Sequence, residues 1–305
     1  MIKLGQRQID FLVSSGALGF TGLGYFWEQP LRWVGLIDPT AFSVVVAKTV
    51  TAAQTVGNLS WWHPWSCVRL LPGCNTVNAI GLSNPSVFCW TVDYYPQAVK
   101  HRINLAPSVK VDTLEEARYV ASTLSHLDVP FLEVNFSCPN LYDTKVFDPA
   151  PLLDVLVMAG HHLVVKLALR QINNWFVSRC YPVCAAFHAI NSVPWTRVFG
   201  DKLSPLERYQ HGQRGGVSGP VIRDLAIDAV RRLSKMTDRP VIGGGGIWNV
   251  DDVEAFAEAG AGAFSIGSLF LHRPWAPNRL VRHWRKNQQK YVAKIIEEPS
   301  HGNGE

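Results

Sequence analysis

The sequence predicts an α/β fold, a (β/α)8 TIM barrel with loop excursions over its C-terminal face. Three observations carry that reading. Eight short apolar stretches recur along the chain, and most pairs are separated by an amphipathic stretch. Several of the apolar stretches are nearly unbroken, as expected of parallel strands covered on both faces. Polar residues gather just past the strand ends, at Ser15, Lys48, Asn135, Cys138, Asn191, Ser192, Gly244 and Ser268. In such a barrel the site lies on that face.

The first strand runs from Phe11 to Ser14 and ends in Ser15-Gly16, before a turn through Gly19, Gly22 and Gly24. The second is Ser43–Ala47, ending in Lys48-Thr49. Residues 51–90 hold Pro, Gly, Asn and Trp with few helix signals, and read as an excursion over one face. Ile103–Ala106 is the third strand. Thr113–Leu127 reads as an amphipathic helix with Leu114, Ala117, Val120, Ala121 and Leu124 on one face, capped by Asp112 or Thr113. Strands then follow at 131–136, 163–168, 183–190, 240–243 and 263–266, with helices near 150–159, 170–178, 220–235, 251–259 and 277–294. Residues 193–217 read as a second long, irregular excursion. One domain over residues 1–298 is expected, with a disordered tail at 299–305.

The bulk composition narrows the function. A chain of 305 residues that is 47% apolar can build one large core. No apolar run is long enough for a membrane span, and the first 16 residues lack a signal-peptide pattern, so a cytoplasmic protein off the membrane is expected. Six cysteines are too sparse for a disulfide scaffold. Cys180 and Cys184 lie one helical turn apart, but zinc spacings are missing and no metal is expected. A net charge of +5 suits small anionic ligands, and no dense Lys/Arg run points to nucleic acid. Eleven tryptophans are many; the cluster Trp61, Trp62 and Trp65 reads as a small lid or an oligomer contact in preference to a stacking site.

Three stretches carry chemistry. In FLEVNFSCPN, from Phe131 to Asn140, a strand stops at Pro139, which cannot serve a sheet ladder, and leaves Cys138 between Asn135 and Asn140. The run IGGGGI at 242–247 and Ile266-Gly267-Ser268 both follow strands seven and eight. Glycines admit a phosphate close to backbone N–H groups, and this is the recurrent phosphate site of the fold. The plainer reading is close helix–strand packing. Lys166, in the apolar strand LVVKLAL, should point into the barrel and needs a partner. A buried carboxylate or an anionic cofactor ring would serve.

In chain order, SSGALGFTG, AKTVT, VNAIGLSNP, NLA, EVNFSCPN, VVKLAL, INS, GGVSGP, IGGGGI and IGSLF resemble the dihydroorotate dehydrogenases, specifically the soluble class with a cysteine base. The resemblance covers nearly the whole chain. It implies an FMN-dependent barrel that oxidises dihydroorotate to orotate in pyrimidine biosynthesis. Cys138 matches the base that deprotonates ring carbon five, and Lys166 the lysine beside the pyrimidine end of the flavin. Lys48 matches a second lysine near flavin and substrate. Asn78, Asn135, Asn140, Asn191 and Ser192 match the polar ring around orotate, with the N–H groups of Ile80, Gly81 and Leu82 on its carboxylate. Ser15, Gly16, Thr49 and Asn104 match flavin contacts. Ser218, Gly219, Gly245, Gly246, Gly267 and Ser268 match the phosphate cradle. The family also implies a homodimer, reoxidised by fumarate or by NAD through a subunit carrying FAD and an iron–sulfur cluster.

Three segments depart from the family pattern: 141–150, the WWHPW insertion and 193–214. They leave open the same flavin chemistry on another dihydropyrimidine-like ring. A transfer-RNA dihydrouridine synthase would have a glycine before the cysteine, where this chain has Ser137, and a helical domain after strand eight, where it has about one helix. A non-redox phosphate-binding barrel would make Cys138 and Lys166 incidental.

Overall fold

The computed structural model describes residues 1–60, 62–136, 147–209 and 214–297, with side chains to residue 288. Among the described residues eight parallel strands surround one axis: β1 (Phe11–Val13), β2 (Val44–Val46), β3, β4 (Leu132–Asn135), β5 (Leu163–Leu167), β6 (Cys184–Ala189), β7 (Val241–Gly244) and β8 (Ala263–Ile266). β3 is broken into Leu105–Ala106 and Ser108–Val109. These two segments are the outermost members of the sheet, the first on β2 and the second on β4. Only Pro107 separates them, so the sheet closes on itself. Proline has no N–H for the ladder, but its carbonyl still accepts from Glu133 N–H at 2.9 Å.

Alternation along each strand sorts the side chains into two cores. Phe11, Val13, Val45, Val134 and Val165 face outward into the large cluster under the helices. Leu12, Val44, Val46, Ala106, Phe131, Val164, Ala186, Ile242 and Ala263 face inward. They pack against Ile2, Leu4 and Ile9, from an antiparallel hairpin of Ile2–Leu4 and Arg7–Ile9 that plugs the N-terminal end. The sequence reading began at Phe11 and missed this hairpin. Inward positions nearer the C-terminal ends are polar: Ser108, Glu133, Lys166, His188 and Ser265 are all buried.

The helix Leu114–Leu124 starts at Thr113, whose hydroxyl accepts from Glu116 N–H at 3.1 Å, while the Glu116 carboxylate accepts from Thr113 N–H. Ala117, Val120, Ala121 and Leu124 are buried as expected; Leu114, in the first turn, is exposed. The two excursions are less irregular than expected. Val68–Leu71 and Asn75–Asn78 from the first join Val193–Pro194 and Gly216–Ser218 from the second in one four-stranded antiparallel sheet. Val77, Val193 and Val217 are buried within it. Trp62 and Trp65 lie exposed on the first excursion, and Trp61 falls outside the described residues.

Candidate active site

The strand ends and the excursion sheet meet around one mouth. Lys48 follows β2 and is buried. Its ammonium donates to the carbonyl of Ser83 and lies 5.2 Å from the centre of the Phe20 ring. Burial pulls its pKa down to about 8. Ser83 belongs to a loop pinned from both sides. Asn58 donates to the carbonyls of Ile80 and Ala79, at 2.9 and 2.8 Å, and Asn84 accepts from Thr51 and Ser86 N–H. Gly81 and Leu82 take positive φ of 69° and 59°, which turns the peptide run Ile80–Leu82 sharply between these anchors.

A hydrogen-bonded chain crosses the barrel beneath the mouth. Ser15 Oγ donates to Ala47 O at 2.8 Å and lies 3.1 Å from Thr49 Oγ1. Thr49 is 2.9 Å from Ser108 Oγ, which donates to Glu133 Oε1 at 2.8 Å. His188 Nδ1 lies 2.7 Å from Glu133 Oε2, and Lys166 Nζ lies 3.7 Å from Oε1. A branch runs from Thr49 to Asn135, 3.2 Å, and on to Asn191, 3.5 Å. The expected residues Ser15, Thr49, Asn135, Lys166 and Asn191 are thus brought together. Lys166 has the buried carboxylate the simpler reading asked for.

Burial would push Glu133 up, but the Lys166 charge and the bonds from His188 and Ser108 outweigh it and hold the carboxyl down at about 2. Burial, then the Lys166 charge, lowers His188 despite the neighbouring carboxylate. This direction favours the neutral imidazole, and the bond to an ionised Glu133 assigns its proton to Nδ1. Sequence reasoning missed Ser108, Glu133 and His188. The available signal was a charged or polar residue at an inward position of an apolar strand.

Asn78 and Ser192 gather at the excursion sheet. Asn78 Nδ2 donates to Gly216 O at 3.4 Å, and a Cβ at Gly216 would stand 2.5 Å from Ser192 Oγ. Asn191 Oδ1 accepts from Ser192 N–H at 2.8 Å. Cys138 and Asn140 lie outside the described residues, after the end of β4.

Backbones crowd together on the β7–β8 side. Gly219 and Gly246 have φ of 108° and 95°, and a Cβ on Gly246 would come within 2.9 Å of Gly219 O. Gly245 takes φ of 112°, and Gly267 packs on Ser14. Ser218 precedes Gly219 at the end of its strand, and Ser268 opens the short helix Leu269–His272. The buried hydroxyl of Ser265, one strand position below, has no hydrogen-bond partner among the described residues. A close-backbone cradle and an unsatisfied inward hydroxyl on one side, with lysines and carboxamides on the other, fit a flat cofactor bearing a phosphate.

Asn104 departs from its expected place. It precedes β3 at the N-terminal end of the barrel, where Oδ1 accepts from Arg7 at 2.6 Å and Nδ2 donates to Ser43 O at 2.5 Å. Its carboxamide ties the hairpin plug to β2 and does not reach the mouth. Gly16 lies beside Lys48, a Cβ there meeting Cγ at 3.7 Å, and its carbonyl accepts from Tyr25 Oη at 2.9 Å.

Comparison with known proteins finds relatives over most of the chain. The chain is 26% identical over 272 residues to the dihydroorotate dehydrogenase B (NAD(+)) catalytic subunit of Desulforudis audaxviator, covering 87% of this chain and 84% of the relative. It is 28% identical over 295 residues to the protein of the same name from Desulforamulus reducens, covering 93% and 92%. A putative dihydroorotate dehydrogenase A (fumarate) of Pediococcus pentosaceus is 25% identical over 293 residues, covering 88% and 89%. The family model described as dihydroorotate dehydrogenase matches residues 28–286, most of the barrel and both excursions. The chain belongs to the dihydroorotate dehydrogenase family.

Proposed function

We propose that the chain oxidises dihydroorotate to orotate in pyrimidine biosynthesis, with FMN as its flavin and Cys138 as the base. One observation carries the reading: Lys48, Asn135, Lys166 and Asn191 converge on one barrel mouth, in a chain of this family. When bound, FMN supplies the acceptor for the hydride that leaves ring carbon six. Cys138 takes the proton from ring carbon five. Asn78, Asn135, Asn140, Asn191 and Ser192 present the donors and acceptors that fix a planar ring of amides. The N–H groups of Ile80, Gly81 and Leu82 hold the substrate carboxylate. Lys48 and Lys166 place positive charge beside the flavin and ring. Ser218, Gly219, Gly245, Gly246, Gly267 and Ser268 hold the phosphate; Ser15, Gly16 and Thr49 contact the flavin.

The names of the D. audaxviator and D. reducens relatives, NAD(+)-dependent catalytic subunits, support a second subunit for this chain. In the proposal that subunit carries FAD and an iron–sulfur cluster, as the family resemblance implies, and takes electrons from a homodimeric core to NAD. Among the described residues no helix is long and apolar enough to cross a membrane. The cytoplasmic setting belongs to the proposal, as an implication of the family resemblance.

The test is anaerobic mixing of FMN-loaded protein with L-dihydroorotate while the flavin absorbance is followed. Rapid bleaching is expected. A flavin that dithionite reduces but dihydroorotate does not would reject this substrate and point to another ring. Reoxidation by fumarate with this chain alone would remove the need for a second subunit.

A further inference from the structure

Three inward side chains on adjacent strands meet under the mouth, Glu133 on β4, Lys166 on β5 and His188 on β6, with Lys166 in register with both Asn135 and His188. All three are buried. The way they share hydrogen bonds is unusual. An ionised carboxylate is the strongest acceptor an ammonium can find, and charge-assisted bonds between them close to about 2.7–2.9 Å. Here Lys166 Nζ stays 3.7 Å away, an ion pair beyond hydrogen-bond reach. Both carboxylate oxygens are taken by neutral donors instead, Ser108 Oγ at 2.8 Å on Oε1 and His188 Nδ1 at 2.7 Å on Oε2. Glu133 thus balances the lysine's charge without engaging its protons.

We propose that His188 and Glu133 are positioning residues for Lys166. The imidazole anchors the carboxylate, so that the ammonium keeps a counter-charge below it and keeps its N–H groups for the ring of a flavin bound above. This rests on the FMN reading. Without the Nδ1–H anchor, the freed oxygen would draw the ammonium into a direct bond and away from the ring. The reduced flavin, which carries more negative charge, would lose more than the oxidised one.

The experiment measures the midpoint potential of bound FMN, with dissociation constants for both oxidation states, in the reconstituted wild type and in His188→Leu, His188→Gln and Glu133→Gln. His188→Leu should weaken reduced relative to oxidised FMN about tenfold, which is about 30 mV on a two-electron potential. His188→Gln, which keeps an N–H donor, should restore most of it. Glu133→Gln, which removes the counter-charge, should shift the ratio the other way. A His188→Leu protein that folds, binds FMN and keeps the wild-type potential overturns the proposal, as does a glutamine variant that fails to rescue. Should the leucine variant not fold, Ser108→Ala removes the carboxylate's other donor and must move the potential in the same direction; an unmoved potential overturns the proposal. Wild-type protein that takes up no FMN overturns the function itself, whereas normal FMN binding with unmoved potentials sinks only the positioning role.

Discussion

At the scale of single residues, acid–base chemistry separates the two groups with the largest proposed roles. A thiol is a much stronger acid than an alcohol, so at neutral pH a cysteine offers far more of its basic form than a serine does. Cys138→Ser should bind FMN as the wild type does, yet reduce it more slowly by about a hundredfold or more at pH 7. Unchanged reduction in stopped flow would remove Cys138 from the mechanism. Lys166 differs because it is tied into the fold. Lys166→Ala deletes the cation beside a fully buried carboxylate whose remaining donors, among the described residues, are His188 and Ser108. Breaking a buried pair costs about 3–5 kcal/mol, so this variant should lose both stability and FMN affinity. Denaturant unfolding and an FMN titration would register the two losses separately, and wild-type values in both would break the assignment of β5. Glu133 and His188 show where the sequence is silent. Each reads as a polar interruption of an apolar strand, but which interruption meets which depends on register across β5, and no local pattern encodes that.

At the scale of elements, the parallel strands were legible because burial on both faces writes them as apolar runs, and the helices because one face repeats at helical spacing. The excursion sheet was not. Its strands are two to four residues long, and it pairs residues 68–78 with residues 193–218, a contact that leaves no trace in either stretch alone. Asn104 fails for a related reason. The motif NLA places it on β3 but does not tell which end of the strand its side chain serves, and here the Arg7 guanidinium captures it at the plug. A comparable tie fixes the C-terminal helix Ala276–Glu297 to the start of β1. Arg285 donates to both oxygens of Asp10, at 2.6 and 2.8 Å, and Ser43 adds a third donor. Burial would raise the Asp10 pKa, yet these bonds lower it below the ordinary carboxylate value. The folded state therefore binds the Asp10 proton less readily than the unfolded chain. The stability this group contributes is fully present above its unfolded pKa and disappears as the pH falls through the lower, folded one. Asp10→Asn should cost about 1.5–3 kcal/mol at pH 7, and the gap to wild type should close only in strong acid. A gap that stays constant down to pH 2 in urea titrations, on the order of the acid end of that linkage, would mean that the charge is not what holds the helix.

At the scale of the whole molecule, the barrel interior is layered. The hairpin and the inward apolar residues fill the N-terminal end, the hydrogen-bonded chain from Ser15 to His188 lies above them, and the mouth opens above that. The layering follows from alternation. Every second residue of each strand must face the axis, and where those residues turn from apolar to polar the packed core gives way to a site. Stability and chemistry are thereby placed at opposite ends of one barrel, which separates their mutational effects. Ile9 is fully buried in the lower layer and touches no part of the mouth assigned above. Ile9→Ala should leave a cavity and cost about 2–5 kcal/mol, while FMN affinity and the anaerobic rate of flavin reduction stay at wild-type values well below the unfolding transition. A urea titration would show the lower midpoint, and stopped flow on the same preparation would show the unchanged rate. A rate that fell along with stability would mean that the packed lower layer fixes the polar residues above it tightly enough for one lost side chain to be felt at the mouth, and the two ends would then have to be treated as a single mechanical unit.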